Sequence, residues 1–239
     1  MRIVSSFDMP SACGIAASEE FLYLLTYQGN IASLTHGGTQ VAESNTDKWI
    51  SSFVLGPGGL LFCTLYEPGD PEQGEIVALD AQTLQPSHRF GLSLLNDVCG
   101  LAVVGEELFV CSYGNDRLQV FSLAGEHRRS ITGEWKRPLA LCFVKDRLYL
   151  VEKVDEDKDE DGELINPLCG RRIFVLSLQG DTVQVYTHPV LLAPGPFVEP
   201  LTLRTSFWVW DLCYFDGKLL ASVRNDRWEF VGVLAFGGC

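Results

Sequence analysis

The stretch GEELFVCSYGNDRLQVFSLAGEH, Gly105 to His127, decides how this chain is read. Two short apolar segments flank a polar turn, and a second turn follows. Apolar runs bounded by Gly, Asn and Asp read as strands joined by tight turns. The stretch is therefore either one hairpin of an irregular fold or one copy of a repeat.

The chain answers with five copies. They are GIAASEEFLYLLTY from Gly14, SFVLGPGGLLFCTL from Ser52, GLAVVGEELFVCSY from Gly100, ALCFVKDRLYLVEK from Ala140 and DLCYFDGKLLASVR from Asp211. Each has a small or polar residue, an apolar strand, a tight turn and a second apolar strand. A third strand with alternating apolar residues follows every copy: GNIASLT, GEIVALDA, DRLQVFSL, RRIFVLSL and WEFVGVLAF. Fourth strands follow in the first four, as TQVAE, LQPSHRF, HRRSIT and TVQVYTH. Units of roughly 40–50 residues with four strands are the signature of propeller blades, because a sheet that is apolar on both faces must be buried between neighbours. The sequence predicts an all-β fold, a single β-propeller domain over 1–239 with five four-stranded antiparallel blades; six blades stays open. The fifth copy ends at Cys239 before a fourth strand. Arg2 to Phe7, RIVSSF, is predicted to supply it by pairing outside Trp228–Phe236 and closing the ring. Within the repeat, Cys142 and Cys213 take the position of Ala16 and Ala102, and Cys63 and Cys111 share another. Small residues there suggest tightly packed inner strands.

The stretch CGLAVVGEELFVCSYGNDRLQVFSLAGEH, beginning at Cys99, resembles the NHL-repeat β-propellers: a small-residue start, a G-x-x-L-F-V strand, a polar GNDR turn, then LQVFSLAG. The resemblance covers about 30 residues as a motif and nearly the whole chain as a pattern. It implies a propeller, and the family most often closes with six blades where five copies are counted here.

Formal charge is -13, with 21% charged residues, which argues against a phosphate-backbone ligand. The paired arginines, Arg128-Arg129 and Arg171-Arg172, read as solvated. The N-terminal residues lack the apolar core of a signal peptide, and no run reaches the ~18–20 apolar residues of a membrane span. The expectation is a cytoplasmic monomer with no nucleic-acid or membrane partner. Eight cysteines show no tight metal spacing and read as free thiols.

Two segments interrupt the repeat. An acidic insertion at 154–172 contains DKDEDG, with Asp157, Asp159 and Asp161 at alternate positions before Gly162, and Glu163 next. This matches the first half of an EF-hand-like loop, so calcium is the one candidate cofactor. The bidentate Glu expected at position twelve is replaced by Leu168, which leaves a solvated acidic loop as the alternative. A Pro-rich loop at 188–207 carries four prolines and packs onto the disc or presents a partner-binding patch.

No nucleophile motif, P-loop or dinucleotide fingerprint is present. His36, His88, His127 and His188 fall by register in outer turns or strands, away from the axis. The connectors leading into the inner strands are the better place to look. They offer Asn96, Asp97 and Asp211, with Trp49, Trp135 and Trp210 nearby. Asp97 and Asp211 are expected to approach one another across the channel, with turn capping as the alternative. The tryptophans read first as wedges between blades and second as a stacking surface. The functional expectation is a non-catalytic interaction module that binds a protein or small polar ligand through loops on one face. The alternative is a calcium-dependent hydrolase or lyase with a central site.

Overall fold

A computed structural model of the chain describes residues 12–67, 69–153, 172–187, 207–215, 218–225 and 230–237. Among these lie nineteen strands in five antiparallel sheets. The first sheet holds β1 (Ala12–Ala17), β2 (Phe21–Thr26), β3 (Ile31–Thr35) and β4 (Gln40–Glu43). The second holds β5 (Trp49–Gly56), β6 (Leu60–Glu67), β7 (Asp70–Asp80) and β8 (Pro86–Leu95). The third holds β9 (Val98–Val104), β10 (Glu107–Ser112), β11 (Arg117–Ser122) and β12 (His127–Ile131). The fourth holds β13 (Pro138–Val144), β14 (Arg147–Glu152), β15 (Arg172–Leu176) and β16 (Thr182–Thr187). The last holds β17 (Phe207–Phe215), β18 (Lys218–Asn225) and β19 (Phe230–Gly237). In each sheet the strands pair in chain order, so each is an up-and-down blade. The first strands β1, β5, β9, β13 and β17 lie against one another in the same order, which is the arrangement of a β-propeller.

The stacking follows from the middle strands, which are apolar on both faces. In β6, Leu61, Cys63 and Leu65 pack with Tyr23, Leu25 and Ile31 of the first blade. Phe62 of the same strand, with Ile76 and Ala78 of β7, packs with Leu101, Leu108 and Val110 of the third. The pattern repeats onward: Phe109 and Val120 meet Leu141 and Leu148, then Tyr149 and Val175 meet Leu212 and Leu219. Successive residues point to opposite faces, so one strand serves two neighbouring blades. Trp135, fully buried in the cluster between the third and fourth blades, is a wedge, as the sequence predicts.

Two expectations need correction. Cys63 and Cys111 do not share a register. The turn at Pro57–Gly59 makes the second blade's first hairpin one residue longer, so Val54 faces Phe62 where Ala102 faces Phe109. A shift of one residue sends a side chain to the other face; Cys63 looks toward the first blade and Cys111 toward the fourth. Nor is Arg172 merely solvated. Its guanidinium forks onto the fully buried Glu152 carboxylate (2.8 and 2.9 Å), which also accepts the Lys136 N–H (2.8 Å). The acidic loop with Asp157, Asp159, Asp161 and Glu163, most of the Pro-rich loop, and the predicted closing strand Arg2–Phe7 lie outside the described residues. Cys63, Cys99 and Cys111 are free thiols, and burial pushes those of Cys63 and Cys111 well up, so they remain neutral. No helix among the described residues is long and apolar enough to cross a membrane.

Near the axis the inner strands come into backbone contact. A Cβ on Gly100 of β9 would lie 2.8 Å from the Ala140 Cα and 2.8 Å from the Leu139 oxygen of β13. Gly100→Ala is expected to cost ~1–3 kcal/mol through this overpacking. Gly37→Ala, in a turn where the nearest atom is 3.7 Å away, serves as the comparison. Thermal melts followed by circular dichroism should show Gly100→Ala several degrees lower than wild type and Gly37→Ala nearly unchanged; equal melting points would refute the close approach.

Candidate functional site

One irregularity recurs in all five blades. Each inner strand slips register just after it begins, leaving an extra residue: Cys13, Ser51, the Cys99–Gly100 step, Leu139 and Trp210. A β-bulge bends its strand and re-aims side chains, and bulges gather beside functional sites. Here all five lie at the end of the disc where the inner strands start. The residue that follows the bulge is small in four blades (Gly14, Ser52, Gly100, Ala140) and Asp211 in the fifth.

At that end the first three blades enclose a cleft of about 370 Å³, lined among others by Cys13, Tyr27, Trp49, Tyr66, Asp97 and Cys99. Cross-blade hydrogen bonds fix its walls. The Ile50 N–H donates to the Gly29 carbonyl (2.9 Å), and the Ser51 hydroxyl donates to the Val98 carbonyl (3.0 Å). Gly29 sits at φ +77 with Trp49 against it; a Cβ there would come within 2.9 Å of the Trp49 Cβ. Trp49 and Tyr66 face each other across β5 and β6, their rings 6.2 Å apart at 72°. Trp49 and Tyr27 stay open to solvent, 44% and 62% exposed, while Tyr66 is half-buried.

Asp97 supplies the charge. Its backbone is left-handed (φ 45), a region where Asp and Asn are among the tolerated residues. The connector is clamped: the Tyr113 N–H donates to the Asp97 carbonyl (2.9 Å), and the Asn96 N–H donates to the Ser112 hydroxyl (3.1 Å). The Asn96 side chain lies against Gly114, where a Cβ would collide with it. Asn96 thus shapes the turn that presents Asp97. The Asp97 carboxylate accepts no hydrogen bond from the described residues. Burial pushes its pKa up, and the positive charge of Lys153 partly opposes this. Its own charge helps raise Tyr66, which burial and Cys13 also raise, and Cys99, which burial carries to about 12.

Asp211 does not join this group. It is solvent-accessible yet walled by protein, which raises its pKa, while the Leu212 N–H at 2.8 Å pulls the other way. It does not line the cleft, and neither aspartate's charge perturbs the other. Trp210 is the bulge residue beside it. Among the described residues no group of three or more His, Cys, Asp or Glu side chains is arranged to hold a metal ion. His88 and His127 stand on outer strands and His36 in an outer turn, as expected; His188 lies outside the described residues.

Sequence reasoning found Asp97 and Trp49 but missed Tyr27, Tyr66, Cys13 and Cys99. A signal was present. FLYLLTY, FCTLY and FVCSY each end in tyrosine, and register puts Tyr27, Tyr66 and Tyr113 at one position, occupied in the fourth blade by Lys153.

The raised aspartates cost stability at neutral pH. A carboxyl whose folded pKa exceeds its unfolded one favours folding while protonated, and that contribution is lost as pH rises through the folded value. Asp97→Asn should therefore melt above wild type at pH 7, by on the order of 1–4 °C, and the solvent-accessible Asp211→Asn by less. The gap should close as pH falls through ~4, where the unfolded carboxyl also becomes protonated. A lower melting point for either variant at pH 7 would contradict this.

No family model and no curated protein matches the sequence. Solved structures do match the fold. The WD40 β-propeller domain of Doa1 superposes with a TM-score of 0.60 at 12% identity, covering 88% of this chain and 60% of that one. Hydrazine synthase of Kuenenia stuttgartiensis gives 0.65 at 13%, covering 95% and 60%. A protein from Bacteroides caccae gives 0.59 at 10%, covering 93% and 80%. The chain thus spans about three fifths of the length of the first two. At these identities the likeness is one of fold, and the fold is a β-propeller.

Proposed function

We propose that this chain is a non-catalytic β-propeller module that binds a protein or small polar ligand at the end of the disc where the inner strands begin. The observation that carries the reading is the Asp97 carboxylate, held by a clamped connector in an open, aromatic-walled cleft with no hydrogen-bond donor among the described residues spent on it. Pockets with apolar walls and a few placed polar groups are the usual form of a ligand site. Strained backbone and a raised pKa at one residue are the usual marks of function. The third blade's motif supports an NHL-type repeat, and the strong negative charge argues for a partner other than nucleic acid. The module acts as a monomer in this reading. A calcium-dependent hydrolase or lyase draws less support, since the two candidate aspartates stand apart and no histidine base is among the residues lining the cleft.

Two measurements test this. Hydrogen–deuterium exchange during a screen of small polar ligands and short peptides should show protection around Tyr27, Trp49, Tyr66 and Asp97, abolished in Trp49→Ala. Protection confined to the opposite end or the outer edges would refute it. Calcium titration by calorimetry should show no tight site that is lost in both Asp97→Ala and Asp211→Ala; such a site would favour the enzyme.

A further inference from the structure

The end of the disc repeats a two-residue unit: the residue two positions before each inner-strand bulge, and the residue level with it at the end of the second strand. In the second blade the unit is Trp49 and Tyr66, in the third Asp97 and Tyr113, in the fourth Arg137 and Lys153. Where the third blade meets the fourth, the Tyr113 ring is covered by its neighbour's cations. The Lys153 ammonium lies 4.6 Å and the Arg137 guanidinium 6.0 Å from the ring centroid. Where the second meets the third, the corresponding Tyr66 shares the cleft with its neighbour's carboxylate, Asp97. Aromatic faces attract cations, and a carboxylate in the same cleft adds charge. Among the described residues the chain therefore supplies a cation at one junction and none at the next.

We propose that the cleft receives the ammonium group of a lysine side chain from a partner protein. This rests on the functional reading above and names the chemistry of the ligand. Trp49 and Tyr66, set at 72°, give the cation two walls, Tyr27 lines the cleft beside them, and Asp97 accepts its N–H groups. A volume of about 370 Å³ suits one extended side chain rather than a folded element. The -13 charge of the chain favours approach of a basic partner. The bound ammonium would take the place toward Tyr66 that Lys153 takes toward Tyr113.

The test uses the full chain and three probes: the peptide acetyl-Gly-Gly-Lys-Gly-Gly-amide, its norleucine analogue, and choline. Binding is followed by the Trp49 indole resonance in proton–nitrogen spectra. The lysine peptide should shift that resonance saturably, the norleucine peptide should bind at least tenfold more weakly, and choline should bind more weakly than the lysine peptide. Asp97→Asn, expected to fold at least as well as wild type, should weaken the lysine peptide about tenfold. Trp49→Leu, read from the Tyr66 ring signals, should do the same. Equal binding of the lysine and norleucine peptides, or no loss in Asp97→Asn, would overturn the cation assignment while leaving a ligand-binding cleft. Tighter binding of choline would overturn the lysine side chain as the occupant. Silence of the cleft toward every probe here and in the exchange screen would remove both this inference and the function it rests on.

Discussion

Every blade of this protein depends on being sandwiched. A strand such as β6, with Leu61, Cys63 and Leu65 on one face and Phe62 on the other, has no polar side to show to water. Apolar surface is worth roughly 25 cal/mol for each Å² removed from water, so a lone sheet of this kind is unstable and a stack is favoured. Sheets twist, and a stack of twisted four-stranded sheets fans about an axis. The fan brings the inner strands together until backbones touch, as they do at Gly100 and Ala140. Side-chain size at the axis is therefore a requirement of the whole fold.

The same crowding accounts for the site. Inner strands that converge must end their close contact somewhere, and in all five blades they do so at a bulge one to three residues after the first pair. Beyond the bulges the connectors spread apart, and the space between the first three blades becomes the cleft. Polar side chains at the ends of the second strands hold the connectors in place. Ser112 receives the Asn96 N–H and Glu152 the Lys136 N–H, at equivalent positions in adjacent blades. Rigid blades thus carry precisely clamped loops, which is how a repeat scaffold offers a site without spending its core on it.

Much of this was legible in the sequence. Strand number, pairing order and blade boundaries follow from apolar runs and turn residues, and every described sheet matches its copy. The buried Trp135 was read correctly as a wedge, because a large ring beside a small-residue strand has few other places to go. The misreadings arise where one residue changes phase. The extra residue in the turn at Pro57–Gly59 moved Cys63 to the face opposite that of Cys111, and aligned letters do not reveal a shift that only pairing defines. The cleft was half seen. Asp97 stood out as a charge in a connector, whereas Tyr27 and Tyr66 looked like ordinary strand ends until register placed them at one level around the disc. Asp97 and Asp211 looked like a pair because both precede an inner strand in the sequence. Asp97 lies before its bulge and Asp211 just after, so they occupy different levels of the blade.

That difference in level separates two kinds of local cost. Asp211 stands where the other blades keep Gly, Ser or Ala, and its carboxylate is walled by protein, yet its neighbour's N–H already answers it. Such an aspartate is explained by its own turn. Asp97 is strained, partly desolvated and unanswered by any donor among the described residues, beside two aromatic residues left open to water. Natural sequences agree with their folds at most positions and break local rules where function demands it. Three such departures coincide at Asp97, Trp49 and Tyr27. A single bound cation would relieve them together, by neutralising the carboxylate and covering both rings.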